Sequence, residues 1–264
     1  MASILLFGTS IFMTRYLQLI KSNNYKKDYQ INSNTLGITF GPTGYLFMYS
    51  HGIAAYLEDH FDLSNVIFAG NSGGCQSSFF LASEIGMTRA LNEWYLPMIK
   101  DIIDDNLLHP FLITTFDRSK KYLKKLYYPE LLNKLKNKYF VVVTHLPYFR
   151  PIYLTKFYDF NDIFLACKAS QYIPFVFGYP CIFHRSRLVC DGWLSCDPFK
   201  PIKEIKWLEL SPFKWNRFQT SDGLTYIKNF YKIQENLNLR EIGYQDAKER
   251  HQLFLDFGLK EIIF

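Results

Sequence analysis

The sequence predicts an α/β fold with three layers, α/β/α, built on a central and mostly parallel sheet. Three observations predict it. Leu36-Gly37-Ile38-Thr39-Phe40 is a strand-like run that enters Gly41-Pro42-Thr43-Gly44 and then a helix, with Tyr45, Met48, Tyr49, Gly52, Ile53, Tyr56 and Leu57 at helical spacing. Asn65-Val66-Ile67-Phe68-Ala69 does the same, entering Gly70-Asn71-Ser72-Gly73-Gly74 and then Phe79-Phe80-Leu81-Ala82. Repeated strand–turn–helix units set their turns at one edge of a parallel sheet. The third is Arg187-Leu188-Val189-Cys190-Asp191-Gly192-Trp193, a short strand that delivers an aspartate into a glycine turn. At 264 residues the chain suits one domain, 1–264, long enough to bury a large core.

The remaining elements follow in order. Residues 2–13 are mostly apolar, but Arg15 cuts the run short of a membrane span, and no positive residue precedes it as in a signal peptide. The run reads as a helix packed on the domain or an interfacial anchor. Residues 21–34 are polar and read as a loop. Residues 87–116 look helical, divided at Pro97 and broken at His109-Pro110. Residues 117–138 carry Arg118, Lys120, Lys121, Lys124, Lys125, Lys134, Lys136 and Lys138, with Leu123, Leu126 and Tyr127 on an opposite face until Pro129. This is a solvated helix face or a contact for an anionic membrane. Tyr139–Thr144 is the clearest buried strand, 160–172 a helix, Pro174 and Gly178-Tyr179-Pro180 a loop, and Ile205–Leu210 the last strand. The rest is mostly helical.

The chemistry gathers on the turns. Gly70-x-Ser72-x-Gly74 between a strand and a helix has the context of a nucleophile elbow. Its glycines let strand and helix pass closely, and Ser72 sits at a helix N-terminus that favours negative charge. An ordinary glycine-rich turn is the competing reading of the pentapeptide alone, as a turn aspartate is for Asp191.

Together the glycine loop Gly41–Gly44, the elbow Gly70–Gly74, and Asp191-Gly192 resemble the patatin-like phospholipase family. Lys168-Ala169-Ser170-Gln171-Tyr172-Ile173-Pro174 is also similar to that family's Ala-Ser-x-x-x-Pro segment. The four motifs stand in the family's order and the resemblance covers about residues 35–212. It implies a patatin-like α/β/α domain and a lipid acyl hydrolase of phospholipase A type. In that mechanism Ser72 is the nucleophile and Asp191 its base, with no histidine between them. Backbone N–H groups of Thr43, Gly44 and Gly73 would face the oxyanion. Two residues depart from the pattern: Pro42 lacks an N–H where the family has glycine, and Trp193 replaces a small residue after Asp191-Gly192. Two other readings stay open. One is an α/β-hydrolase triad of Ser72, Asp191 or Asp197, and His251, although His251 lies in a charged helical run. The other is a lipid-binding protein whose oxyanion hole Pro42 and Trp193 have disabled.

Composition narrows the partners. A net charge of +6 weakly favours anionic surfaces and is far from a nucleic-acid-binding balance. The expected partner is a lipid substrate, phospholipid or glyceride, with peripheral membrane contact and no nucleic acid. The high aromatic fraction, 18%, comes with abundant Lys, Asn and Ile, so it is as readily explained by an AT-rich genome as by function. Five cysteines, an odd number without Cys-x-x-Cys, argue for a reducing, intracellular setting, cytoplasmic or peripheral on a membrane. Without paired ligands at short spacing, no metal and no cofactor are expected.

Overall fold

In the computed structural model the described residues are 31–104, 111–176, 179–195 and 200–263. Contacts divide the chain into Met1–Asn34 and Thr35–Phe264, and the account below concerns the second unit. The apolar run at 2–13, the break at His109-Pro110, Gly178, Cys196 and Asp197 lie outside the described residues.

The first apolar runs form strands as their patterns predict. Strand β1 (Leu36–Phe40) leads through a 3-10 turn at Gly44–Leu46 into helix α1 (Phe47–His60). A two-residue strand β2 (Phe61–Asp62) follows, then β3 (Val66–Asn71) and helix α2 (Gly74–Ser83). Both β3 and α2 are buried almost throughout, which explains their continuous apolar character. One helical turn at Met87–Arg89 and a π segment at Ala90–Tyr95 lead into α3 (Leu96–Asp104). Pro97 stands just inside α3, where it has no N–H to close the preceding turn; the wider π geometry ends there. Helices α4 (Phe111–Leu126) and α5 (Leu131–Leu135) flank Pro129.

Strand β4 (Tyr139–Leu146) is longer than its sequence signal and turns back as β5 (Arg150–Leu154). Helix α6 (Phe160–Ser170) starts on Asp159, whose side chain accepts the Asp162 N–H. A hairpin of β6 (Ile182–His184) and β7 (Arg187–Asp191) follows, then β8 (Lys206–Leu210), helices α7 (Ile233–Glu249) and α8 (His251–Phe257), and β9 (Lys260–Glu261), which pairs with β2.

The main sheet runs β6-β7-β4-β3-β1-β8, with β5 also on β4. Strands β8, β1, β3 and β4 are parallel, and β5, β7 and β6 are added antiparallel. Helices flank this sheet, giving the α/β architecture with a mostly parallel centre that the sequence predicts. The core gathers Ile38, Phe40, Phe68, Val141 and Val143 from the strands with Ile53, Phe80 and Trp94 from the helical segments.

The register of β4 sets up the site. Val142 pairs with both Asn71 of β3 and Tyr153 of β5, so those two strands lie on opposite edges of β4. Val143 pairs with both Ile152 of β5 and Asp191 of β7. Strands β3 and β7 therefore share one edge of β4 and meet there end to end. Asn71, the residue before Ser72, and Asp191 are consecutive along that edge.

Candidate active site

Ser72 emerges from β3 in the left-handed region, at φ 51. For a non-glycine residue such a conformation is strained by roughly 1–2 kcal/mol and persists only where surroundings hold it. Here they do. The Ser72 N–H donates to Ser170 Oγ at 3.0 Å, and the Ser170 hydroxyl donates to the Val142 carbonyl at 2.5 Å. The Ser72 carbonyl accepts from the Cys75 N–H as α2 begins. The flanking glycines are close-approach positions. A Cβ at Gly70 would stand 2.5 Å from Cys75 Cα, and one at Gly74 would stand 2.3 Å from the Phe40 carbonyl oxygen.

Asp191 ends β7 and is 2% exposed. Its Oδ2 accepts from Ser72 Oγ at 2.8 Å, and its Oδ1 accepts from the Trp193 N–H at 2.9 Å. Its own backbone is fixed on both sides: the N–H donates to the Tyr172 carbonyl, and the carbonyl accepts from the Thr144 hydroxyl. A Cβ at Gly192 would lie 2.4 Å from the Val142 carbonyl oxygen, so only glycine lets the turn close over β4. Burial pushes the Asp191 carboxyl up from 3.8 to about 7, against the opposing pull of the Trp193 and Ser72 hydrogen bonds. No cation pairs with it among the described residues. An acid poised near neutrality and bonded to a serine hydroxyl can take that proton directly.

Thr43, Gly44 and Gly73 are brought together beside the elbow. A Cβ on Gly73 would lie 2.1 Å from Thr43 Oγ1, so the glycine loop presses directly on the turn. Gly44 adopts φ 55, and the Thr43 hydroxyl donates to its carbonyl at 3.1 Å. Gly44 and Gly73 line the same cavity as Ser72, while Thr43 is fully buried beside them. Gly41 holds the loop to the sheet by donating its N–H to the Leu210 carbonyl. The Pro42 carbonyl accepts from the Ser211 hydroxyl at 3.4 Å. The Trp193 side chain is 53% exposed, so its bulk is turned largely to solvent while its N–H serves Asp191.

The cavity reaching Ser72 has about 110 Å³ of free interior, well above the ~10–15 Å³ that a single water centre needs. Its wall is aromatic and aliphatic: Phe79, Trp94 and Phe116 on one side, Phe160, Ile163 and Phe164 of α6 on another. Lys168, Gln76 and Gln171 are among its few polar residues, the Gln76 side-chain amide donating to Gln171 at 3.0 Å. Aromatic residues thus supply most of the bulk of this apolar wall, a use that composition could not distinguish from nucleotide bias.

His251 and His51 lie elsewhere. In His251 both ring nitrogens are engaged, Nδ1 with the Tyr56 hydroxyl at 2.8 Å and Nε2 with Glu261 at 2.9 Å, and its ring stacks on Phe61. Phe61 precedes β3, whereas Ser72 follows it. His51 is buried against Arg240, and burial followed by that cation drives it down to about 3, holding the ring neutral. Ser170 was visible in the sequence only as part of a motif segment; its grip on the Ser72 peptide was not.

Among the described residues, half of the basic side chains of 117–138 are paired with carboxylates. Arg118 and Lys121 share Asp101 at 3.4 and 2.6 Å, and Lys134 and Lys138 share Glu84 at 2.6 and 3.0 Å. Lys125 sits over the Tyr122 ring. Among the described residues no helix is long and apolar enough to cross a membrane.

No family profile and no curated protein matches the chain. Among solved structures it is similar to a chain of the heterodimeric ExoU–SpcU complex from the type III secretion system of Pseudomonas aeruginosa, with 13% identity, TM-score 0.45, 87% of this chain and 53% of that one covered. It is also similar to VipD from Legionella pneumophila, with 10% identity, TM-score 0.45, and 87% and 68% covered. The chain spans about half the length of the ExoU–SpcU complex chain it matches.

Proposed function

We propose that this chain is a serine acyl hydrolase for lipid esters, of patatin-like phospholipase type, working through a Ser72–Asp191 dyad. The observation that carries the reading is the 2.8 Å hydrogen bond from Ser72 Oγ to a buried carboxylate raised to about 7. The ordered set of motifs in the sequence supports it independently.

In the proposed cycle Ser72 Oγ attacks the ester carbonyl carbon as its proton passes to Asp191 Oδ2. The negative charge on the carbonyl oxygen is met by N–H groups of Gly73, at the start of α2, and of the Thr43-Gly44 pair in the glycine loop before α1. Asp191 then gives the proton to the departing alkoxide, leaving an acyl-Ser72 ester and a free alcohol. Water attacks the acyl-enzyme carbonyl as Asp191 takes its proton, and Asp191 then returns that proton to the departing Ser72 Oγ, releasing a fatty acid and restoring the dyad. An acyl chain would lie in the apolar cavity, where an alkyl group is favoured at roughly 0.8 kcal/mol per buried CH₂.

The test is hydrolysis of phospholipid vesicles by the wild type and by Ser72→Ala. The proposal expects free fatty acid from the first and none above background from the second. Equal release from both, or none from either, contradicts it.

A further inference from the structure

Strands β1, β3 and β8 end together at Phe40, Gly70-Asn71 and Leu210, and the Ser72 elbow sits on that edge. Strand β4 does not stop there. It runs on from Val143 to Leu146, about 13 Å past the end of β3 at the usual rise per residue, before turning into β5. The β6–β7 hairpin accompanies it, with Leu188 opposite Leu146 and Phe183 opposite Leu188. Two hairpins therefore project beyond the edge that carries Ser72 and Asp191.

Exposed apolar side chains stand at the turn of the first hairpin and two residues behind the Arg185-Ser186 turn of the second. Phe149 is 60% exposed and Phe183 69%, with Tyr148 and Leu188 also exposed. Directly opposed residues share a sheet face, so Leu146, Leu188 and Phe183 form one row across three strands. Thr144, next along that face of β4, bonds to Ser195, which brings the Gly192–Leu194 turn with exposed Trp193 alongside the row. With half-buried Leu146 leading to exposed Leu188 and Phe183, and exposed Tyr148 and Phe149 at the neighbouring turn, these aromatic and aliphatic side chains mark a contact surface.

The charges beside the tips indicate what covers it. Arg150 and Arg187 flank the two turns, and among the described residues neither is held by a carboxylate. Arg185 is tied to Asp162 of α6, and the one acid in these strands, Asp191, is buried. Aromatics at the level of headgroups with cations beside them match a bilayer bearing anionic phospholipid.

The geometry points to the two hairpin tips as the surface by which the protein docks on an anionic phospholipid bilayer. Phe149 and Phe183 enter the interface, Trp193 lies at its border, and Arg150 and Arg187 meet phosphate groups. Docking there turns the Ser72 edge of the sheet toward the lipid. As an account of how substrate is reached this rests on the lipid-ester reading, but the docking itself does not require turnover.

The test uses the full chain carrying Ser72→Ala, so that binding is read without hydrolysis. It compares vesicles of phosphatidylcholine alone with vesicles containing phosphatidylserine, by flotation and by tryptophan emission. The proposal expects tighter binding to the anionic vesicles and a blue shift that Trp193→Tyr removes. Adding Phe149→Ser and Phe183→Ser should weaken binding at least tenfold, and Arg150→Gln with Arg187→Gln should abolish the preference for anionic lipid. Thermal unfolding of each variant confirms that it is folded, and because these side chains are exposed the midpoint should not move. Binding undiminished in the folded Phe variant overturns the proposal. So does loss of a concentration-dependent dimer in that variant with no vesicle binding by the parent, which would assign the surface to a second copy. Without Ser72→Ala, the Phe variant should hydrolyse a short soluble ester as the wild type does and vesicle phospholipid at least tenfold more slowly. A protein that binds vesicles as expected but cleaves no ester keeps the docking surface and loses the hydrolase reading.

Discussion

Asp191→Asn should make the protein more stable and less active, and the first effect should depend on pH. Asp191 is 2% exposed, and burial raises its carboxyl from 3.8 to about 7. A folded-state value above the unfolded one means that the folded chain holds the proton more tightly. Between those two values the folded state carries more protons than the unfolded state, so stability falls as pH rises through the window and stays low above it. The interval corresponds to roughly 4 kcal/mol as an upper bound on the strain of ionised Asp191 at pH 8, and to almost none at pH 4. Asparagine keeps the shape and an oxygen for the Trp193 N–H, and never ionises. The expected result is a melting temperature several degrees above wild type at pH 8, since about 1 kcal/mol moves a chain of this size by ~2–4 °C, with the gap closing toward pH 4. Hydrolysis should fall by about 10²–10⁴, the usual worth of a positioned base. In the wild type kcat/KM should rise with pH up to about 7 and then level, falling about a hundredfold two pH units below that point. Thermal unfolding across pH, with hydrolysis of a soluble ester on the same samples, provides both readouts. An Asn variant destabilised equally at pH 4 and pH 8, or a wild-type rate flat from pH 5 to 8, would refute the buried-base argument.

Three further outcomes follow from the site. Ser170→Ala leaves the Ser72 N–H without its acceptor in a buried turn; it should lower kcat about tenfold or more with little change in KM, and destabilise by about 1–3 kcal/mol in a denaturant titration. Gly192→Ala forces a Cβ to 2.4 Å from the Val142 carbonyl oxygen, and should yield either insoluble protein or a folded form with Asp191 displaced and at least a hundredfold loss of rate. His251→Ala should change the rate less than about threefold while lowering the melting temperature, because its ring joins Tyr56, Phe61 and Glu261 rather than Ser72.

The parallel centre of the sheet and its two glycine turns were legible because they rest on local rules. Apolar runs of strand length ended in glycines whose positions a strained turn dictates. What escaped the sequence depended on pairing across distance or on irregular local signals. Strand β5 contains Pro151, which reads as a loop yet is tolerated on an edge strand. Strand β6 has three residues, too few to show alternation. The overrun of β4 past β3 follows from register alone, and it is this overrun that brings β7 in antiparallel to set Asp191 beside the elbow. Ser170 meets the Ser72 peptide across 98 residues of chain, so only the fold reveals its hydrogen bond. The cavity draws its wall from α2, the π segment, α4 and α6, none of which carries a mark of it alone.

The central claim is that Ser72 is a nucleophile activated by Asp191. The most direct measurement is to treat the folded protein with a fluorophosphonate probe, measure its intact mass, and map the modified peptide. The account predicts one adduct, on Ser72, absent from Ser72→Ala and formed on the order of 10²–10⁴ times more slowly in Asp191→Asn. No adduct on the wild type, or an adduct on a different residue that persists in Ser72→Ala, would contradict it.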